Sequence, residues 1–143
     1  MPVIRNIKPD DFPAVFPLIC SLWDYNTYEE TATKEVFDRV LADADSFAFL
    51  LYADGEVKGF CHGDYFQTFW MCGLTCYVSS LIVREEDRGK GYGRLLMDEA
   101  KVRAVHRGCK AMILDSGKPR KKAHRFYEQY GFEKSCCGFE LIL

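Results

Sequence analysis

The stretch VREEDRGKGYGRLLMDEA, residues 83–100, closes an apolar run, gathers charge, sets glycines at 89, 91 and 93, and then takes on helical character. A helix start presents backbone N–H groups and the positive end of the dipole, a ready anion site if the chain can bring the anion close. Glycines remove the side chains that would obstruct that approach and reach backbone angles closed to other residues. The stretch therefore predicts a strand ending at Val83, a turn over Arg88–Arg94 able to cradle a pyrophosphate, and a helix beyond it. It is not a Walker A loop, which needs Lys then Ser or Thr after a four-residue gap, nor a G-x-G-x-x-G fingerprint. Glycine spacing alone is equally compatible with a plain flexible loop.

Working outward, LTCYVSSLIV reads as the strand that enters the turn, and SFAFLLYADGEVKGFCHGDYF as two strands joined at Asp54-Gly55, a tight-hairpin signal. Upstream, Val3–Ile7 reads as a strand and KPDDFPAVFPLICSLW as a helix. Asp10 or Asp11 is its cap, and Val15, Leu18, Ile19 and Leu22 are spaced along one face. A further helix spans Lys34–Ala42, with Val36, Val40 and Leu41 as its buried edge.

Downstream, the helix over Gly91–His106 carries Tyr92, Leu95, Leu96, Ala100, Val102 and Val105 mostly on one side and closes at Gly108. CKAMILDS reads as a strand buried on both faces. A helix follows from near Pro119 to Gly131, with Ala123, Phe126, Tyr127 and Tyr130 on one face. FELIL reads as a last strand. The order implies an α+β fold, an α/β sandwich in which helices flank a mixed, mostly antiparallel sheet.

With 143 residues the chain fits one domain, 1–143, and no repeat or Pro- or Gly/Ser-rich linker offers a boundary. A net charge of −2 lacks the basic excess of a nucleic-acid binder. MPVIRNIKPDDF has no apolar signal core, and the longest strongly apolar run, Phe47–Ala53, is too short to span a bilayer. The expectation is a cytoplasmic protein with neither membrane nor nucleic-acid partner. Seven cysteines, scattered apart from the Cys136-Cys137 pair, match no disulfide framework and no metal-site spacing.

Arg88-x-x-Gly91-x-Gly93 after a strand ending SSLIV, with AHRFYEQYGF some thirty residues later, resembles the GNAT superfamily of acetyl-CoA-dependent N-acetyltransferases. The resemblance covers about Cys76–Phe132. It implies that acetyl-CoA is the acetyl donor and that Arg88, Gly89, Lys90, Gly91, Tyr92, Gly93 and Arg94 hold its pyrophosphate. It further implies that Leu81, Ile82 and Val83 pair their backbone with the pantetheine arm, and that this strand splays from AMILDS to leave a cleft.

Amine attack on a thioester builds charge on the carbonyl oxygen and expels a thiolate, so the site needs an amide donor and a proton donor. An amide near Ile82 or Val83 serves the first need. By the resemblance, Tyr127 in A-x-x-x-Y-x-x-x-G-F is the general acid; without it, Tyr127 reads as a packed core aromatic. Two positions depart from common family patterns. Tyr77, Ser79 and Ser80 stand where an acidic residue often lies, so that the serines would order a water carrying the amine's proton. Arg120 stands where asparagine is common, beside the expected cofactor. No base is assigned: Asp24, His62 and Asp64 read as surface or turn residues.

Lys118, Lys121, Lys122 and Arg125 form a basic stripe, either a solvated face or a partner for a coenzyme phosphate or an acidic substrate. Acceptor recognition is expected from WDYNTYEET and HGDYFQTFWMCGLT, with Tyr25, Tyr77 and Ser79 at the substrate, Asp24, Glu29, Glu30 and Asp64 attracting an ammonium, and Trp23, Tyr25, Tyr65 and Trp70 walling it in. The same aromatics equally fit a core or a homodimer surface. LICSLW bears a thin similarity to small-amine acetyltransferases such as the aminoalkylphosphonate group. The expected activity is transfer of acetyl to a primary amine of a small molecule by direct attack in a ternary complex. The alternatives are a coenzyme-binding sensor without catalysis and an acetyltransferase acting on a protein or peptide amine.

Overall fold

The computed structural model describes residues 1–143, which divide into two compact units, Met1–Ile113 and Leu114–Leu143. The first holds a five-stranded sheet: β1 (Val3–Asn6), β2 (Ser46–Ala53), β3 (Glu56–Thr68), β4 (Gly73–Val83) and β5 (Ala111–Ile113). The strands lie in sequence order, antiparallel from β1 to β4, with β5 parallel to β4. Asp54 and Gly55 both take positive φ, +55° and +75°, and close the β2–β3 hairpin as the Asp-Gly pair predicts.

Alternation along the strands sends two sets of side chains to opposite faces. Ala48, Leu50, Phe60 and Ile82 join Phe12, Val15, Leu18, Leu22 and Phe37 from α1 (Phe12–Leu22) and α2 (Glu30–Ala42) in one core cluster. Below the other face lies α3 (Tyr92–Arg107): a Cβ on Gly59 would meet Leu96 Cδ1 at 2.9 Å, and the Arg103 guanidinium sits 4.5 Å from the Phe49 ring. The first unit is thus a helix, sheet, helix sandwich.

Several local expectations are corrected. Asp11 does not cap α1 through its side chain. Its carboxylate instead takes the Lys8 amide at 2.6 Å and both arms of the Arg5 guanidinium at 2.7 and 2.8 Å, locking β1 to the start of the helix. α2 begins at Glu30, four residues before Lys34, because the Glu29 carboxylate caps it by accepting from the Thr31 and Ala32 amides. Its buried residue is Phe37, whereas Val36 is exposed. On α3 the buried stripe is Leu96, Met97, Ala100 and Ala104, and Leu95, Val102 and Val105 face solvent. The i, i+4, i+8 run from Leu96 is the side turned to the sheet, where Leu96 meets Gly59, whereas Leu95, Val102 and Val105 share a different side.

β5 is three half-buried residues and not the long buried strand expected from CKAMILDS. FELIL forms no strand: Phe139, Leu141, Ile142 and Leu143 are exposed. β-forming residues make a strand only where a ladder partner satisfies their amides and carbonyls, and this segment has none. In the second unit α4 (Lys121–Tyr130) begins two residues after Pro119 and ends at Gly131, with φ of +124°. No residue of α4 is fully buried. Phe126, Tyr127, Tyr130 and Phe132 pack on one another with ring centroids 5.5–6.3 Å apart.

Candidate active site

β4 delivers the chain to the turn. Its ladder with β3 runs to Gly59↔Val83, but its ladder with β5 covers only Thr75–Tyr77. From Val78 to Val83 the strand therefore has one neighbour in the sheet, and its second edge is open for the backbone pairing expected of Leu81, Ile82 and Val83. The β3 register jumps from His62↔Ser80 to Gly63↔Val78, which leaves Ser79 as an extra residue in β4, a bulge beside that open edge.

Past Val83 the chain makes a short 3₁₀ turn, Glu85–Asp87, and Arg88 folds back so that its Nε donates to the Val83 carbonyl at 3.2 Å. Gly89 and Gly91 then take φ of +81° and +86°, and a Cβ built on either meets nothing within 4 Å. Both observations fit a diphosphate: the backbone needs glycine for its angles, and space stands open where an anion would approach. The first bond of α3 runs from the Leu95 amide to the Gly91 carbonyl at 3.2 Å. The amides ahead of it, Tyr92 and Gly93 among them, have no carbonyl inside the helix to donate to. Arg88, Gly89, Lys90, Gly91 and Arg94 are exposed, and Tyr92 and Gly93 half-buried. Residues 88–94 thus form one continuous stretch, a turn leading into α3.

One member of the turn has a partner within the chain. The Lys90 ammonium lies 2.8 Å from the Asp87 carboxylate, a group that sequence reasoning passed over. Asp87 is only 2% exposed and also lies 3.1 Å from Arg84 Nε and 3.6 Å from Lys58 Nζ. The hydrogen bond from Lys90, helped by the other two cations, holds its carboxyl below the usual carboxylate range. The signal available in the sequence was Lys58 inside the apolar run VKGFC, a cation that a strand interior accepts only with a buried partner.

The expected acceptor groups are partly gathered and partly dispersed. Tyr77 is half-buried on β4, paired with Asp64 on one side and Ile113 on the other. Tyr25 is exposed in the loop between α1 and α2. Trp23 packs against the α1–α2 core and tilts on Tyr28. Tyr65 lies on the α3 face, beside Phe47 and under the Arg107 guanidinium at 4.4 Å. Trp70 stands exposed at the tip of the β3–β4 hairpin, and Glu29 is committed to capping α2.

His62 and Asp64, two residues apart on β3, do come together, with Nε2 3.6 Å from Oδ1. The Asp64 carboxylate accepts the Ser46 hydroxyl. His62 Nε2 is buried without a hydrogen-bond partner, and burial lowers the imidazole pKa against the opposing pull of Asp64. Directly across the ladder from His62 is Ser80, next to the bulge.

In the second unit Arg120 is half-buried as the residue preceding α4 and takes no side-chain capping role. Tyr127 is half-buried, edge-on to Phe126 and Phe132. Lys118, Lys121, Lys122 and Arg125 are exposed, and the first turn of α4 holds no acid.

Known proteins share this architecture. A transcriptional regulator from Bacillus halodurans superposes with a TM-score of 0.90 at 23% identity, over 100% of both chains. The aminoglycoside N-acetyltransferase AAC(6')-Iy, solved with CoA, gives 0.88 at 17% identity over 100% of this chain and 95% of its own. In sequence, the N-acetyltransferase YhdJ of Bacillus subtilis is 34% identical over 85 residues, 59% of this chain and 59% of that relative's length. The sequence model of the acetyltransferase (GNAT) family matches residues 3–132, from β1 through the glycine turn to the second residue after α4. With the glycine turn, the half-paired β4 and the family pattern in agreement over that span, the chain belongs to the acetyltransferase (GNAT) family.

Proposed function

We propose that the protein acts in the cytoplasm, moving the acetyl group of acetyl-CoA onto a primary amine of a small molecule by direct attack in a ternary complex. The observation that carries this reading is the pair of left-handed glycines, 89 and 91, at the start of α3, immediately after a strand whose second edge is open from Val78. When bound, acetyl-CoA supplies an activated acyl group as a thioester. The turn from Arg88 to Arg94 would hold its diphosphate through main-chain amides, and Leu81–Val83 would align its arm along the open edge.

Acid and base work falls to side chains. Tyr127 would protonate the departing thiolate through its hydroxyl. The acceptor amine must shed a proton, which water ordered by Ser79 and Ser80 would carry toward His62, the residue across the ladder from Ser80. Burial supports His62 in this part by keeping the imidazole neutral, and Asp64 would stabilise the imidazolium once the proton arrives. Tyr25 and Tyr77 would contact the acceptor. Arg120 and the basic residues around the start of α4 would meet the coenzyme's remaining phosphate, an anion that would offset the unfavourable dipole field on Lys121 and Lys122.

The test is acetyl-CoA turnover, read as free thiol, against a panel of small primary amines and lysine-containing peptides. The reading expects thiol release that depends on a small amine. Transfer to peptides alone would move the acceptor to a protein amine. Coenzyme binding with no transfer to any amine would leave a sensor.

A further inference from the structure

We propose that Asp87 is the positioning residue of the coenzyme cradle and that the Lys90 side chain serves as its anchor, not as a phosphate ligand. The inference rests on the reading that the turn after β4 holds the diphosphate, and it adds how that turn keeps its shape. Two glycines at positive φ flank Lys90, so the unfolded backbone there has more conformations to lose than a stretch without glycine. A binding loop with such freedom loses affinity to the entropy of ordering unless something fixes it beforehand. What fixes it here is the Lys90 side chain, drawn back to 2.8 Å from Asp87.

Asp87 is itself held from two directions. Its amide donates to the Arg84 carbonyl at 2.9 Å, and the Arg84 amide donates to the Lys58 carbonyl at 2.9 Å, which ties the turn to β3. The pairing of β2 with β3 skips Lys58, the extra residue opposite Leu51 and Tyr52, and its buried ammonium lies 2.9 Å from Glu56 and 3.6 Å from Asp87. Three cations, Lys58, Arg84 and Lys90, are thus matched by Glu56, Glu86 and Asp87, and only Asp87 among the acids is buried. A buried carboxylate so close to a phosphate site would repel the ligand if charge were its only effect. Its presence is explained by geometry.

That opposition fixes the sign of the test. CoA is titrated calorimetrically into the intact protein, into Asp87→Asn, into Lys90→Met and into the double variant, each well below its own unfolding midpoint. Positioning predicts that each single substitution weakens CoA by about tenfold and that the double variant is also about tenfold weaker, because both break one link. Affinity unchanged or raised in Asp87→Asn overturns the proposal, as does a double variant weakened by the product of the two. Should Asp87→Asn fail to fold, Lys90→Met decides by salt. An anchor pinned to a buried partner gives nearly the same loss at low and high NaCl, whereas loss of an exposed phosphate contact shrinks as salt screens it. Failure of the unaltered protein to bind CoA would instead remove the functional reading beneath the proposal.

Discussion

The turn between β4 and α3 and the segment from Leu114 onward are built by different means. In the turn, polar pairs and backbone angles set the shape: Arg88 on the Val83 carbonyl, Lys90 on buried Asp87, two glycines left-handed. In the segment, α4 buries no residue, its aromatics lean on neighbours close in sequence, and the apolar tail Phe139–Leu143 is exposed. A diphosphate requires donors at fixed separations before it arrives, so the first kind of construction suits its cradle. The ring contacts of Phe126, Tyr127, Tyr130 and Phe132 join residues close in the chain, and no residue of α4 is fully buried.

The sharpest way to break this contrast is to remove packing from each region. Leu96→Ala, at a fully buried site beneath the sheet, is expected to cost about 2–5 kcal/mol in urea unfolding. Phe126→Ala, at a half-buried site, should cost well under half as much; equal losses would mean that α4 is as firmly built as α3. Next in size is Tyr127→Phe, which the acid role predicts will slow turnover by about 100-fold while CoA affinity stays within about twofold. An unchanged rate would return Tyr127 to ring packing alone.

Smaller still is the basic stripe. Changing Lys118, Lys121 and Lys122 together to glutamine should weaken CoA by a few-fold, about 1 kcal/mol, and 3'-dephospho-CoA should lose less if the coenzyme phosphate is the partner. Equal loss for both ligands would exclude that partner.

The smallest effect is on pH dependence. Burial lowers the His62 pKa below its ordinary 6.5, so as pH falls through about 6.5 the unfolded chain takes up the proton first. Stability contributed by neutral His62 is full above that pH and declines below it, until the folded protein also binds the proton. Urea midpoints at about pH 7.5 and 5.5 should therefore converge in His62→Gln relative to the unaltered protein. Parallel behaviour of the two would mean that Asp64 offsets the burial of the imidazole in full.

The sequence discloses those features whose signal is local. The Asp54-Gly55 hairpin, the glycine turn and the Gly108 and Gly131 helix ends each follow from backbone angles that few residues adopt. The cradle was legible for that reason. What was illegible depends on partners distant in the chain. Of the three cations around Asp87, Lys58 reaches it from a β3 bulge that no pattern announces. His62 and Asp64 share a strand face by period two, a spacing that could have brought them forward, but the Ser79 bulge that sets Ser80 opposite His62 is a property of pairing. FELIL misled because its residue types favour a strand, while strand formation is decided by whether a neighbour is available.

The central claim is that main-chain amides at the start of α3 grip a diphosphate because Gly89 and Gly91 hold left-handed angles over open space. It is tested most directly by calorimetric titration of CoA into the protein and into Gly91→Val, where a β-branched side chain would have to adopt φ near +86°. The account predicts one CoA bound per chain, and affinity reduced at least tenfold in the variant even when both proteins are titrated well below their own unfolding midpoints. CoA binding of equal strength in both proteins would place the coenzyme elsewhere and contradict the account.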